Sequence, residues 1–186
     1  PCDAEIGVDS EGLGKIFESF FYNDTATTEI YTPKEIVRYM CKESLIAYLG
    51  AICFPADGKT GNTCVTADGK NTDCGDAVGS LVRTFVETHE FPDELEPYRD
   101  ILDRALREVK ICDPAIGSGA FPMGLLNELW RCREALTDRD SCSLITVHRS
   151  QLKKEIIENN IYGVDIERGA IDIARLRFWL SIVVDS

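Results

Sequence analysis

Asp113-Pro114-Ala115-Ile116-Gly117-Ser118-Gly119-Ala120-Phe121 is the stretch on which the reading of this chain turns. A short apolar run, Val109-Lys110-Ile111-Cys112, precedes it and reads as a strand; a helix is expected after it, from Ala120 to Trp130. Gly117 and Gly119 lack the Cβ atoms that would hold a ligand off the backbone, and they permit positive φ in the turn. The helix start behind them offers N–H groups and the positive end of its dipole to a docked negative group. Spacing sets aside two common nucleotide loops. A P-loop carries Gly-Lys-Ser/Thr at the helix start, whereas Gly119 is followed by Ala120-Phe121. A dinucleotide fingerprint needs G-x-G-x-x-G, and here Pro122 takes the place of the third glycine, with the next one at Gly124. An ordinary Gly-rich turn between strand and helix is the bland alternative.

Two other segments bear on the same site. Asn160-Ile161-Tyr162-Gly163-Val164-Asp165-Ile166-Glu167 reads as a second short strand ending in a carboxylate. An acidic side chain there can accept both hydroxyls of a ribose; its bland role is a helix N-cap. Tyr31-Thr32-Pro33-Lys34-Glu35-Ile36-Val37-Arg38-Tyr39-Met40 reads as a helix start. Thr32 can cap, Pro33 suits the first helical position, and Glu35 can close a capping box. Apolar residues at Ile36, Val37, Met40, Cys41, Leu45, Tyr48 and Leu49 then form the expected core-facing stripe.

Together the three segments resemble the S-adenosylmethionine-dependent DNA methyltransferases that modify an exocyclic amino group, above all adenine N6. The glycine loop matches motif I of that family (D-P-A-x-G-S-G-x-F) at every fixed position. Ile161 to Ile166 resembles motif II, and Tyr31 to Met40 resembles motif X. The order X, I, II is that of the gamma-type enzymes, and the pattern looks like the type IIG restriction–modification proteins. The resemblance implies a Rossmann-like α/β fold and S-adenosyl-L-methionine as cofactor. It assigns Asp113, Pro114, Ala115, Gly117, Gly119 and Phe121 to the cofactor loop and Asp165 to the ribose. It sets Ile166 beside the adenine ring and lets Tyr31, Thr32 and Pro33 close over the methionine end.

The family's catalytic motif, Asn/Asp-Pro-Pro-Tyr/Phe, is missing, since no two prolines are adjacent in the chain. In the family that motif accepts the N–H bonds of the target amine and stacks on a base flipped from the duplex. No catalytic residue is therefore assigned. The chain is expected to be the cofactor-binding fragment of a site-specific adenine methyltransferase, inert alone. The competing readings are a non-catalytic nucleotide-binding scaffold subunit and a fragment of an NAD-dependent oxidoreductase. Two features depart from the family: the approach to Tyr31 lacks its usual basic, Gly-Ser-containing stretch, and Asp113 and Asp165 stand 52 positions apart. A compact βαβ unit has about 20 residues between glycine loop and ribose carboxylate. The spacing implies a longer crossover with an inserted helix, in which Leu152, Ile156 and Ile157 recur at helical spacing.

Composition sets the remaining bounds. The chain has 186 residues, 44% of them hydrophobic, and a formal charge of −12, enough to build one core but unlike a surface that gains affinity from DNA phosphates. Double-stranded DNA is thus expected to meet the parent enzyme elsewhere. No signal peptide or membrane span is read, and the location is taken as cytoplasmic. The eight cysteines include no C-x-x-C pair, so neither a metal site nor a disulfide framework is expected. Cys41 and Cys112 are read as buried small hydrophobes.

The organisation expected is an N-terminal helical segment, 1–108, followed by the beginning of an α/β methyltransferase domain, 109–186. The first segment includes a short helix from Gly14 to Tyr22, the Y-T-P helix to Leu49, and helices over Leu81 to Thr88 and Leu95 to Glu108. Between them a turn-rich stretch, 55–80, is read as a surface hairpin or loop. The α/β part is expected to show the first strands of a parallel sheet with helices on both faces. Its open edge is expected to favour self-association.

Overall fold

The computed structural model describes residues 32–53, 63–65, 71–137 and 145–183. The Gly14–Tyr22 helix, Tyr31 and half of the turn-rich stretch lie outside the described residues. Helix α1 (Lys34–Cys53) comes first, then a two-stranded antiparallel ribbon of β1 (Thr63–Val65) and β2 (Asn71–Asp73), with Cys64 opposite Thr72. A hairpin or loop was expected over 55–80; the described part holds this strand pair, and its last residues, from Cys74 on, are helical instead. Helix α2 (Cys74–Thr88) follows, then a 3₁₀ turn (Asp93–Tyr98) and α3 (Arg99–Glu108). One continuous helix was expected over these last two, but Pro97, which has no N–H to donate, stands inside the 3₁₀ turn.

Strand β3 (Ile111–Asp113) leads through the glycine loop into α4 (Ala120–Leu136). Helix α5 (Ile145–Asn159) is the expected insert in the crossover; β4 (Ile161–Gly163) and α6 (Arg168–Val183) complete the order. β3 and β4 pair in parallel, with Ile111 opposite Ile161, Cys112 opposite Tyr162 and Asp113 opposite Gly163. The described residues are mostly helical, and this short parallel sheet is compatible with part of an α/β fold.

One hydrophobic core joins most of these elements. Leu49 of α1, Val82, Phe85 and Val86 of α2, Leu102 and Leu106 of α3, Leu126 and Leu129 of α4 and Ile156 of α5 are fully buried in it. Truncating one such Leu to Ala costs about 2–5 kcal/mol in a packed interior. The α1 stripe is narrower than its sequence suggests. Val37, Cys41, Leu45, Ile46 and Leu49 are buried, whereas Ile36 and Met40 lie to one side of that line and are exposed.

The α1–α4 contact depends on Gly124. A Cβ there would stand 2.8 Å from Cys41 Sγ and 3.1 Å from Val37 Cγ1, so the two helices approach over a position without a side chain. Beside this contact, Glu128 is buried on α4 and its carboxylate lies 2.7 Å from His89 Nε2, with Arg38 Nε at 4.0 Å. His89 adopts left-handed φ (58°), and its N–H donates to Phe85 O, closing α2. A buried carboxylate needs such partners, and these tie α1, α2 and α4 together.

The sheet differs from expectation on one face. Ile111 and Ile161 pack toward the core, but Cys112, Tyr162 and Val164 on the opposite face are exposed among the described residues. Residues alternate between faces along a strand, so Cys112 shares the uncovered side with its partner Tyr162. Helices on both faces are therefore not seen among the described residues. Cys112 is an exposed thiol rather than a buried one, whereas Cys41 is buried as expected.

Candidate functional site

The glycine loop is built from the end of β3 outward. Oδ1 of Asp113 accepts the N–H of Ala115 at 3.0 Å, closing an Asx turn around Pro114, which has no N–H to donate. Pro114 and Ala115 are exposed, and Ile116 turns back beneath them. Its N–H donates to Val164 O (3.0 Å) and its carbonyl accepts the N–H of Gly119 (2.8 Å). Ile116 fits there only because residue 163 is glycine. A Cβ on Gly163 would collide with the Ile116 side chain.

Both loop glycines occupy the left-handed region, Gly117 at φ 51° and Gly119 at 86°. A Cβ on Gly117 would project into open space, while one on Gly119 would press on Ala174 Cβ at 3.2 Å. Gly117 thus keeps the outer side of the loop low, and Gly119 lets its inner side settle on α6. Helix α4 starts at once: Met123 N–H makes the first intrahelical bond, to Gly119 O, and Phe121 is half-buried. Phe121 O accepts a long contact from Cys41 Sγ (3.5 Å), which links this helix start to α1.

Asp165 meets the loop from the end of β4. Its Oδ2 accepts the N–H of Gly117 at 2.8 Å, and its Oδ1 accepts that of Glu167 at 2.9 Å. These N–H groups, Glu167's first and then Gly117's, hold its carboxyl below the usual carboxylate range. Asp165 is therefore an anion at neutral pH. Each carboxylate oxygen can still accept a further bond, so its acceptor capacity is not exhausted. Beside it, Ile166 is wholly exposed, an apolar side chain presented to solvent at the carboxyl ends of the strands. Loops in that position are where parallel sheets hold ligands.

The sequence-derived residues fall into two groups. Asp113, Pro114, Ala115, Gly117, Gly119 and Phe121 converge with Asp165 and Ile166 around the two strand ends. Thr32 and Pro33 lie at the start of α1, where Pro33 O accepts the N–H groups of Ile36 and Val37. α1 is connected to the loop's helix through Val37, Cys41 and Gly124. Sequence reasoning missed Arg177, a buried residue of α6 whose Nη1 donates to Ser118 O (2.9 Å) and Ser118 Oγ (3.2 Å). Its signal was available: Ala170, Ile173, Ala174, Arg177, Phe178 and Ser181 form the buried stripe of α6, and a charge on such a stripe needs a partner. Among the described residues no group of three or more His, Cys, Asp or Glu could hold a metal ion. No described helix is long and apolar enough to cross a membrane.

Comparison with known proteins gives one informative similarity. Over 92 residues the chain is 36% identical to a protein of Methanocaldococcus jannaschii that carries the provisional name of a type II restriction enzyme and methyltransferase. The aligned stretch is 48% of this chain and 7% of that relative's length. No family model matches the chain, and no solved structure matches it.

Proposed function

We propose that this chain is the S-adenosylmethionine-binding part of a DNA methyltransferase of a restriction–modification system. The observation that carries the proposal is the Asp165 carboxylate hydrogen-bonded to the glycine loop at the carboxyl ends of two parallel strands. The similarity to a relative named as a restriction enzyme and methyltransferase supports the same reading. In it, residues 109–186 belong to a Rossmann-like domain, and residues 1–108 form the helical segment ahead of it.

The residues suit the cofactor's chemistry. An adenosine offers ribose hydroxyls to a carboxylate and a flat apolar ring to an exposed aliphatic side chain; Asp165 and Ile166 supply that pair side by side. The open space over Gly117 leaves room for close approach. Asp113, Pro114, Ala115, Gly119 and Phe121 shape the rest of the cradle, with Thr32 and Pro33 assigned to the methionine end. The cofactor, once bound, supplies an activated methyl group.

Adenine N6 is the target we favour, on the motif order X, I, II. The Asn/Asp-Pro-Pro-Tyr/Phe motif is not among these residues, so we assign the handling of the amine, and most of the contact with double-stranded DNA, to another part of a larger protein. With a charge of −12 this part binds DNA weakly at best.

Calorimetric titration with S-adenosylmethionine tests the reading, with NAD as control and Asp165→Ala as second protein. Micromolar binding, about −8 kcal/mol, that weakens strongly in D165A is the expected result. Equal affinity for NAD, or no effect of D165A on cofactor affinity, would overturn it.

A further inference from the structure

The two glycines that let the loop approach a ligand also leave it easy to deform. Between them lies Ser118, whose peptide to Gly119 ends on left-handed backbone. Glycine tolerates both signs of φ, so on the Gly119 side no side chain opposes a half-turn of that peptide plane. Such a flip would swing Ser118 O through the position now held by Gly119 N–H and break the Gly119 N–H to Ile116 O bond. Within the loop that backbone bond holds the plane, and further contacts reach it from outside.

Helix α6 supplies two contacts at this point. Ala174 and Phe178 lie 3.2 Å and 3.9 Å from where a Gly119 Cβ would be, so the loop rests on their side chains. One turn along from Ala174, the guanidinium of Arg177 reaches the loop, and its Nη1 donates to both the carbonyl and the hydroxyl of Ser118. The Arg177 side chain is buried with the rest of the α6 stripe, and its bonds to Ser118 are partly buried. A hydrogen bond from a charged donor is about twice as strong as a neutral one.

We propose that Arg177 is a positioning residue of the glycine loop: it locks the orientation of the Ser118–Gly119 peptide and so sets the shape of the cofactor cradle. Arg177 holds a carbonyl of the loop from the side of α6, while Asp165 holds the neighbouring N–H, that of Gly117, from the end of β4. The loop is gripped by a cation and an anion on adjacent residues. Arg177 itself touches no ligand. Its effect on cofactor affinity rests on the function proposed above; its effect on the loop does not.

The test uses Arg177→Lys and Arg177→Met in the full chain. The amide resonances of Gly117, Ser118 and Gly119 are followed by ¹H–¹⁵N NMR, alongside S-adenosylmethionine titrations and thermal melts. In R177M we expect the three loop amides to shift and broaden while those of Leu126 and Ile156 in the core stay in place. We expect affinity to fall about tenfold or more, the scale of one charge-assisted hydrogen bond. R177K, which keeps a donor but not the fork, should recover part of both. If R177M does not fold, R177K decides alone, through its loop amides. Unmoved loop amides in a folded variant would overturn the proposal. Loop amides that move in a protein whose wild type binds no S-adenosylmethionine would uphold the positioning role and sink the proposed function instead.

Discussion

The backbone N–H of Gly117 donates to Asp165 Oδ2 across 2.8 Å, although 48 residues separate them in the chain. This single bond makes the loop after β3 and the loop after β4 one structure. Asp165 also accepts the N–H of Glu167, the local bond that an N-cap or Asx turn would make. The bland and the functional readings of that carboxylate are therefore not exclusive. Its structural bonds orient it, and the lone pairs left over remain for a ligand.

Asp165 gives the first prediction, in pH. Its carboxyl is held below the ordinary value of about 3.9 because the folded chain hydrogen-bonds the anion. A depressed carboxylate contributes stability above its unfolded pKa and loses it as pH falls through its folded one. The link between the two loops should thus be intact at all pH values above about 4 and weaken only below. A ¹³C carboxyl titration by NMR should show Asp165 changing below the mean of the other aspartates. A midpoint at or above the ordinary value would contradict the bonding described.

Gly163→Ala should destabilise the protein out of proportion to one methyl group. The new Cβ meets Ile116, which is held by backbone bonds on both sides. Overpacking of this kind costs about 1–3 kcal/mol. Denaturant melts should show that loss, and Ile116→Ala should relieve part of it in the double variant. Additive effects would mean that the two residues do not press on one another.

The α1–α4 contact predicts a similar pair. Gly124→Ala should cost about 1 kcal/mol, because its Cβ would stand 2.8 Å from the Cys41 sulfur. Cys41→Ala should suppress much of that cost, which a double-mutant cycle reads as a coupling energy. Absence of coupling would show that the helices part rather than compress.

Thiol reactivity should separate the cysteines sharply. Burial first, and then the Glu128 charge, pushes both the Cys41 and Cys132 thiols up to about 12, so neither offers thiolate at neutral pH. Cys112 is exposed. Alkylation of the native protein, mapped by mass spectrometry, should label Cys112 and spare Cys41 and Cys132. Early labelling of Cys132 would mean that the α4 core opens.

Much of this could be read from the chain because it is written locally. Asp113 to Phe121 announces its turn through glycine spacing, and α1 announces itself through apolar periodicity. The long crossover helix followed from Leu152, Ile156 and Ile157. What escaped depends on partners far away in sequence. Nothing near Arg177 reveals that it meets Ser118, 59 residues earlier. Nothing near Glu128 reveals His89, 39 residues earlier. Cys112 was misread for a related reason: an apolar strand pattern does not say which of its faces the rest of the chain will cover.

The side-chain amide of Asn160, fully buried, donates to Arg107 O (2.9 Å) and Val109 O (2.8 Å), and the residue's backbone carbonyl accepts Ile111 N–H (2.8 Å). The two strands are thereby riveted together where they begin, as Asp165 and Gly117 fasten the loops where they finish. A sheet of three-residue strands pinned at both extremities does not rely on the connection between them for its register. The register is thus set at the strand ends themselves, across the 52-residue separation of Asp113 from Asp165.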